Sequence, residues 1–169
     1  MLSCVGDYFE RKFSRIPSGA ARSEFLALLL RVVQSPSLMV SIPSLVAWVR
    51  ILSHRVLGHS DMVTQRIGLL LEVCSSRLLR YEHFPETSTD ATFLFLVEDT
   101  DTLPERHTFL GNYRRYSCQI VELIVQLRPA EAISHILSRT DYFLEHLPDG
   151  QPAFSSEPRP TPARRRRNH

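Results

Sequence analysis

Glu98, Asp99 and Asp101 place three carboxylates within four positions, just upstream of Thr102-Leu-Pro-Glu105. Further along, Arg114 and Arg115 follow Tyr113, with Gln119 and Glu122 beyond them. Three clustered carboxylates can ligate a hard cation, but the calcium-loop pattern with its glycine is absent. Two readings stay open. The carboxylates complement the positive end of the helix that follows, worth about 0.3–1 kcal/mol each, or they form an acidic site for a basic partner segment. Arg114 likewise either pairs with a neighbouring acid such as Glu122 or Glu72, or contacts an acidic partner through its planar fork. Arg77 and Arg80 admit the same two readings.

Catalytic chemistry finds no footing. The seven histidines are scattered, and His54 and His59 stand five apart, off the i, i+4 face of a helical zinc site. No G-x-S-x-G, P-loop or G-x-G-x-x-G occurs. No catalytic, cofactor-binding or metal-ligating residue is therefore assigned, and the expected mode of action is binding. Cys4, Cys74 and Cys118 are odd in number and far apart, which argues against a disulfide framework. They read as reduced thiols of a cytosolic or nuclear compartment, with Cys74 and Cys118 buried on helix faces.

The elements that position these residues are helical throughout. Phe25, Leu29 and Val32/Val33 recur at helical spacing over 21–34, stopping before Pro36. Ser41-Ile-Pro43 reads as a cap with a first-turn proline, starting a helix whose stripe is Leu45, Trp48/Val49, Leu52 and Val56 and which Gly58 ends. Val63, Ile67, Leu70, Cys74, Leu78 and Tyr81 predict a third helix over 61–82. Thr102 and Glu105 form an S/T-x-x-E capping box with Pro104 in the first turn. The helix they open, 103–127, carries Phe109, Tyr113, Tyr116, Ile120, Leu123/Ile124 and Leu127 inward. On it Asn112, Arg115, Gln119, Glu122 and Gln126 form a polar stripe, and Arg114 flanks the buried face. A fifth helix starts at Pro129 and is expected to bury Ile133, Ile136/Leu137, Phe143/Leu144 and Leu147. Val5, Phe9 and Phe13 suggest part of a further helix in 1–15. Residues 83–101 read as a long connection, with 93–97 packing as a loop onto the helices.

The fold class is all-α. Short connections make neighbouring helices antiparallel, and pairs of about 40 residues suggest HEAT-type repeats stacked into a short α-solenoid segment. A compact bundle is the alternative. One feature favours the solenoid: the second and third helices are apolar on more than one stripe and need neighbours on two sides.

Charge is unevenly spread. Residues 148–169 hold Arg159 and the Arg164–Arg167 run against Asp149 and Glu157, leaving fifteen basic and sixteen acidic residues in 1–147. The helical part is thus electrically balanced, without the total charge of a non-specific nucleic-acid binder. The expected division is a HEAT-like repeat segment over 1–147 and a disordered Pro/Arg-rich tail over 148–169. The arginine run reads as a disordered tail, a short nuclear-localisation-type patch or a phosphate-binding arm. No apolar run approaches the roughly 18 residues of a membrane span, so membrane insertion is not expected.

Several stretches resemble the exportin-5-type karyopherins of the importin-β superfamily, most of all the fungal members. They are Pro36-Ser-Leu-Met-Val-Ser-Ile-Pro43 with Trp48 following, Ser76-Arg-Leu-Leu-Arg-Tyr-Glu82, and above all 98–116, continuing through Glu122 into Pro129-Ala-Glu-Ala-Ile-Ser-His-Ile-Leu137. Together they cover roughly 20–147 in register. The resemblance implies HEAT-repeat architecture in a nuclear export receptor that binds Ran in its GTP form. It implies cargo protein, phosphorylated protein included, structured RNA in some members, nuclear pore proteins as further partners, and shuttling between nucleus and cytoplasm. Such receptors are several times longer, so the resemblance further implies an internal fragment. Taken with the polar stripe and the acidic cluster, it makes Arg114, Arg115, Gln119, Glu122, Glu98, Asp99 and Asp101 the candidate partner-binding residues. The rivals are an independent helical adaptor binding protein partners, and a nucleic-acid module built on the arginine tail.

Overall fold

The structure, a computed structural model, describes residues 19–145 except 79, 80, 82, 83 and 86. The expectations for Cys4, Arg80, Leu147, 1–15 and 148–169 lie outside the described residues, as does the side chain of Phe143. Six α-helices occur among the described residues: α1 (Gly19–Val33), α2 (Leu38–Ser53), α3 (Asp61–Ser76), α4 (Ala91–Asp99), α5 (Leu103–Leu127) and α6 (Pro129–Glu145). No strand is present among them.

Three boundaries move from where the sequence set them. Ser37, not Ser41, caps α2, its Oγ accepting the Val40 N–H. The Ser41 hydroxyl instead donates back to the Leu38 carbonyl at 3.0 Å, a bond made inside a helix already under way. Pro43 therefore stands inside α2 rather than in its first turn. That helix also ends early, at Ser53 with His54 as its C-cap, so Val56 points to solvent instead of joining the stripe. The third helix stops at Ser76, six residues short of the predicted end, because Arg77 leaves the helix to serve α1. Leu78 is consequently exposed, while Tyr81 is buried apart from the helix.

A larger difference concerns 83–101. Phe93-Leu-Phe-Leu-Val97, read as a packed loop, is the body of α4. Asp90 caps it, Oδ1 accepting the Phe93 N–H at 2.8 Å. Phe93 and Leu96 go inward, and Phe84 stacks between Tyr81 and Phe93 with ring centroids 5.2 and 5.8 Å apart. A helix of nine residues shows about two and a half turns, too few for its period to stand out against alternation.

The helices form two layers. In one, α1 packs on α3 and α3 on α6; in the other, α2 lies along α5 with α4 beside α2. Pairs α1/α2 and α3/α5 join the layers, and α6 folds back against α5. Side-chain bonds fix the direction of the first layer. Arg66 Nη2 donates to the Ser23 carbonyl (2.8 Å) near the start of α1. Eleven residues on, Arg77 donates to Val33 and Gln34 carbonyls (2.7 Å each) at its end. Those carbonyls are among the orphans that every helix C-terminus leaves. Toward α6, Arg128 Nη2 donates to Thr64 Oγ1 at 2.8 Å, and Arg139 pairs with Glu72. Residue numbers rise together in both series, so α1, α3 and α6 run parallel. That is the stacking of successive repeats, and the chain is an all-α, HEAT-type solenoid segment of antiparallel helix pairs.

The core sits between the layers. Trp48, Leu45, Ile51 and Leu52 of α2 meet Leu110, Tyr113, Ile120 and Ile124 of α5, with Leu70, Leu71 and Cys74 of α3 closing the other side. Ser44 is fully buried yet satisfied, its hydroxyl donating 2.7 Å to the Leu29 carbonyl. The α2–α3 turn needs a glycine at 58: a Cβ there would stand 2.5 Å from the Leu52 carbonyl oxygen and 3.3 Å from Leu127 Cδ1.

The last helix departs from expectation most. Ile133, Ile136, Leu137 and Leu144, predicted to be buried, are 48–62% exposed; Ala132 carries the packing. No neighbouring helix covers that stripe among the described residues.

Candidate functional site

The junction of α4 and α5 is built by its caps. Thr102 Oγ1 accepts the Glu105 N–H at 3.3 Å, and Glu105 Oε2 accepts the Asp101 N–H at 3.1 Å. The capping box therefore forms with its return bond one residue earlier than the usual pattern. Thr100, buried between the helices, donates 2.6 Å to the Leu96 carbonyl and accepts from Arg106 Nε at 3.1 Å. This fixes the turn between α4 and α5 to three residues.

The three carboxylates fall differently from one another. Asp99, the last residue of α4, is half-buried and accepts the Ser37 hydroxyl at 3.0 Å, tying the end of α4 to the cap of α2. Glu98 and Asp101 are exposed. Glu98 and Asp99 thus belong to a helix C-terminus, where the macrodipole is negative and a carboxylate gains nothing from it. The acidic residues of 98–101 lie partly on a helix, not on a free loop.

On α5 the predicted polar stripe is realised: Asn112, Arg115, Gln119, Glu122 and Gln126 are all exposed, and Arg114 is half-buried at its edge. The inward face is centred on Leu110, Tyr113, Ser117, Ile120 and Ile124, a slight rotation that leaves Phe109, Tyr116 and Leu123 partly covered. Arg115 folds over its neighbour, with Cζ 4.8 Å from the Tyr116 ring centroid and Nη2 donating 3.2 Å to its hydroxyl. Stacked in this way, the guanidinium keeps donors facing solvent with less rotamer freedom to lose on binding.

The candidate residues therefore occupy two places. Glu98, Asp99 and Asp101 sit at the α4–α5 junction, ahead of α5; Arg114, Arg115, Gln119 and Glu122 lie along the middle of α5, about 20 Å away at 1.5 Å per residue. One ligand reaches both sets only if it is an extended segment or a protein surface.

Other charged and thiol groups have structural partners. Glu72, offered from the sequence as a partner for Arg114, is engaged from α6 by Arg139 and by His135 at 3.7 Å. Arg77 works as the C-cap of α1 described above. His54 Nδ1 accepts the Val56 and Leu57 N–H groups at 3.2 and 3.3 Å, closing the α2–α3 turn. Cys74 is fully buried, and that desolvation pushes its thiol up from 9.0 to about 12. Cys118, expected inside, is exposed instead, because α5 turns it toward its solvent side. The arginine clamps at 66, 77 and 128 were not read from the sequence as connections between helices. The eleven-residue spacing of Arg66 and Arg77, three helical turns, is the signal that carries them.

The exportin-5 family model matches residues 3–157. An uncharacterized protein of the fission yeast Schizosaccharomyces pombe is 33% identical over 117 residues, which cover 66% of this chain and 9% of that protein. The chain thus spans about a tenth of the length of this relative. No solved structure matches this chain. With parallel repeats in two layers and a family match extending over most of its length, the chain belongs to the exportin-5 family.

Proposed function

We propose that the chain acts within a nuclear export receptor, a helical scaffold that binds Ran in its GTP form together with cargo and shuttles between nucleus and cytoplasm. Family membership over 3–157 is the observation that carries this reading. Cargo protein, phosphorylated protein included, structured RNA and nuclear pore proteins are the partner classes that follow from it. The geometry supports binding through the α2/α5 layer, where the α5 stripe faces outward on a rigid scaffold of 25 residues. Arg115, Gln119 and Glu122 are the contact residues, with Arg114 at their edge. Glu98, Asp99 and Asp101 at the α4–α5 junction receive basic groups of the same partner, Asp99 with its remaining acceptor capacity. In this division of labour 1–147 is the binding scaffold and 148–169 a separate tail.

The test is a titration with GTP-loaded and GDP-loaded Ran, using the wild type, Arg114→Glu/Arg115→Glu and the single Arg115→Glu variant. The wild type binds the GTP form preferentially, and reversal weakens it about tenfold or more, the scale of one lost charge-assisted anchor. The single variant changes only an exposed side chain, which separates loss of contact from loss of fold. Equal binding of both nucleotide forms, or none, overturns the proposal. Unchanged affinity after reversal removes the arginines from the site.

A further inference from the structure

A cleft of about 410 Å³ opens between α4 and α5, lined by Phe93 and Val97 of the first and by Leu103 and Arg106 of the second. Val97 is 43% and Leu103 65% exposed. The turn that joins the two helices is described throughout, so the cleft lies within the fold and not at an end of the stack. Arg106 is held in place there by the bond from its Nε to Thr100 Oγ1 at 3.1 Å. Apolar walls beside a fixed guanidinium plane suit an aromatic ring, which packs on the first and stacks on the second.

The charge around the cleft is acidic. Glu98 and Asp101 are exposed, and Glu105 stands in the first turn of α5. Asp99 keeps acceptor capacity beyond its Ser37 bond. Against these four acids, 98–107 holds Arg106 and His107. The occupant that fits is an aromatic side chain followed by basic groups. The chain itself carries such a segment: Phe154 is the one Phe, Tyr or Trp of 148–169, and Arg159 and Arg164–Arg167 follow it with Glu157 as the single acid among them.

Topology starts that segment at the right end of the molecule. Arg77, just past α3, reaches the last carbonyls of α1, and Asp99 at the end of α4 reaches the Ser37 cap of α2. α6 runs parallel to α1 and α3. Glu145 therefore ends α6 at the side of the stack where α5 begins, whereas α1 starts at the opposite side. With 17 residues in α6 and 25 in α5, the two rise about 26 and 38 Å, and packed helices stand about 10 Å apart. The cleft is thus roughly 15–20 Å from Glu145, and Phe154 reaches about 30 Å from it along extended chain.

We propose that Phe154 seats in the Phe93–Val97–Leu103–Arg106 cleft and that the arginines after it meet Glu98 and Asp101. On the partner reading above, on which this rests, the tail covers the carboxylates assigned to a partner's basic groups, and a partner must displace it. Tail and cleft belong to one molecule, so the tail competes at an effective concentration on the order of millimolar.

Fluorescence anisotropy with a labelled synthetic peptide of residues 148–169 tests this on the full chain in three forms. They are the wild type, a tail variant carrying Phe154→Ser with Arg164→Ser, Arg165→Ser, Arg166→Ser and Arg167→Ser, and that variant with Glu98→Gln and Asp101→Asn added. Both junction positions are exposed, and circular dichroism checks that each form keeps wild-type helicity. The tail variant, its cleft free, binds the peptide about tenfold more tightly than the wild type, whose own tail holds the cleft. Adding the two junction changes, or placing Ser at 154 of the peptide, weakens binding to the tail variant about tenfold. Equal affinity of wild type and tail variant, or binding to neither, overturns the proposal. So does binding that either the junction changes or the Ser peptide leaves unmoved. Neither Ran nor cargo enters the measurement, so failure of the receptor reading leaves its result standing, and failure here leaves that reading to its own titration.

Discussion

At the scale of single residues, burial and close approach decide what each side chain does. Gly58 is held by the Leu52 carbonyl, 2.5 Å from where a Cβ would stand. Gly58→Ala must displace backbone, and we expect it to cost about 2–3 kcal/mol, within the range of strained backbone substitutions. Chemical denaturation of the variant beside the wild type measures this. The thiols differ by environment: at pH 8 an alkylating reagent modifies Cys118 rapidly and Cys74 only on unfolding, as mass spectrometry of labelled peptides will show. Cys74 is held at about 12 against 9.0. Burial, then the nearby Asp90 carboxylate, raises the Tyr81 hydroxyl as well. Both groups are held neutral by the fold, so their contribution is complete below about pH 9 and is lost as the pH climbs toward 12. Melting temperatures should fall over that window, and Cys74→Ala should flatten the decline. A steeper decline in that variant would contradict the assignment.

At the scale of elements, sequence reading succeeded where caps are local and failed where neighbours decide. Thr102, Pro104 and Glu105 announce α5, and both its ends lie where the pattern puts them. Pro129 opens α6 for the same reason. The end of α3 was not legible, because Leu78 and Tyr81 continue the helical spacing while Arg77 is drawn off by the carbonyls of α1. Ser41 looked like a cap because a proline follows it, yet Ser37 holds the Val40 N–H. For α6 the period correctly grouped Ile133, Leu137 and Leu144 on one face. Periodicity shows which residues share a face; it does not show whether anything covers it. The outward stripe of α5 was legible because polar residues recur at threes and fours. The position of Asp99 was not, since its bond to Ser37 spans 62 residues. The cap of α4 offers a direct check: a helix of nine residues is marginal by itself. Asp90→Ala should cost about 1 kcal/mol and raise amide exchange over 91–99 while leaving 103–127 unchanged. Equal loss over both helices would show that α4 is not separately capped.

At the scale of the whole molecule, the account rests on stacking. The core lies between two layers, and arginine side chains bond α1 to α3 and α3 to α6 within the parallel layer. Such a stack distributes stability by nearest neighbours, so damage at one end should stay there. In a bundle closed on itself, every helix shares one core and damage spreads. The Arg139–Glu72 pair is the place to test this, because it joins α6 to α3 and is remote from α1 and α2. Native-state hydrogen exchange on Arg139→Ala, at concentrations where the protein is monomeric, is the most direct measurement. The stack predicts faster exchange across 129–145 with 19–53 protected as in the wild type; a uniform loss of protection over all six helices would contradict it.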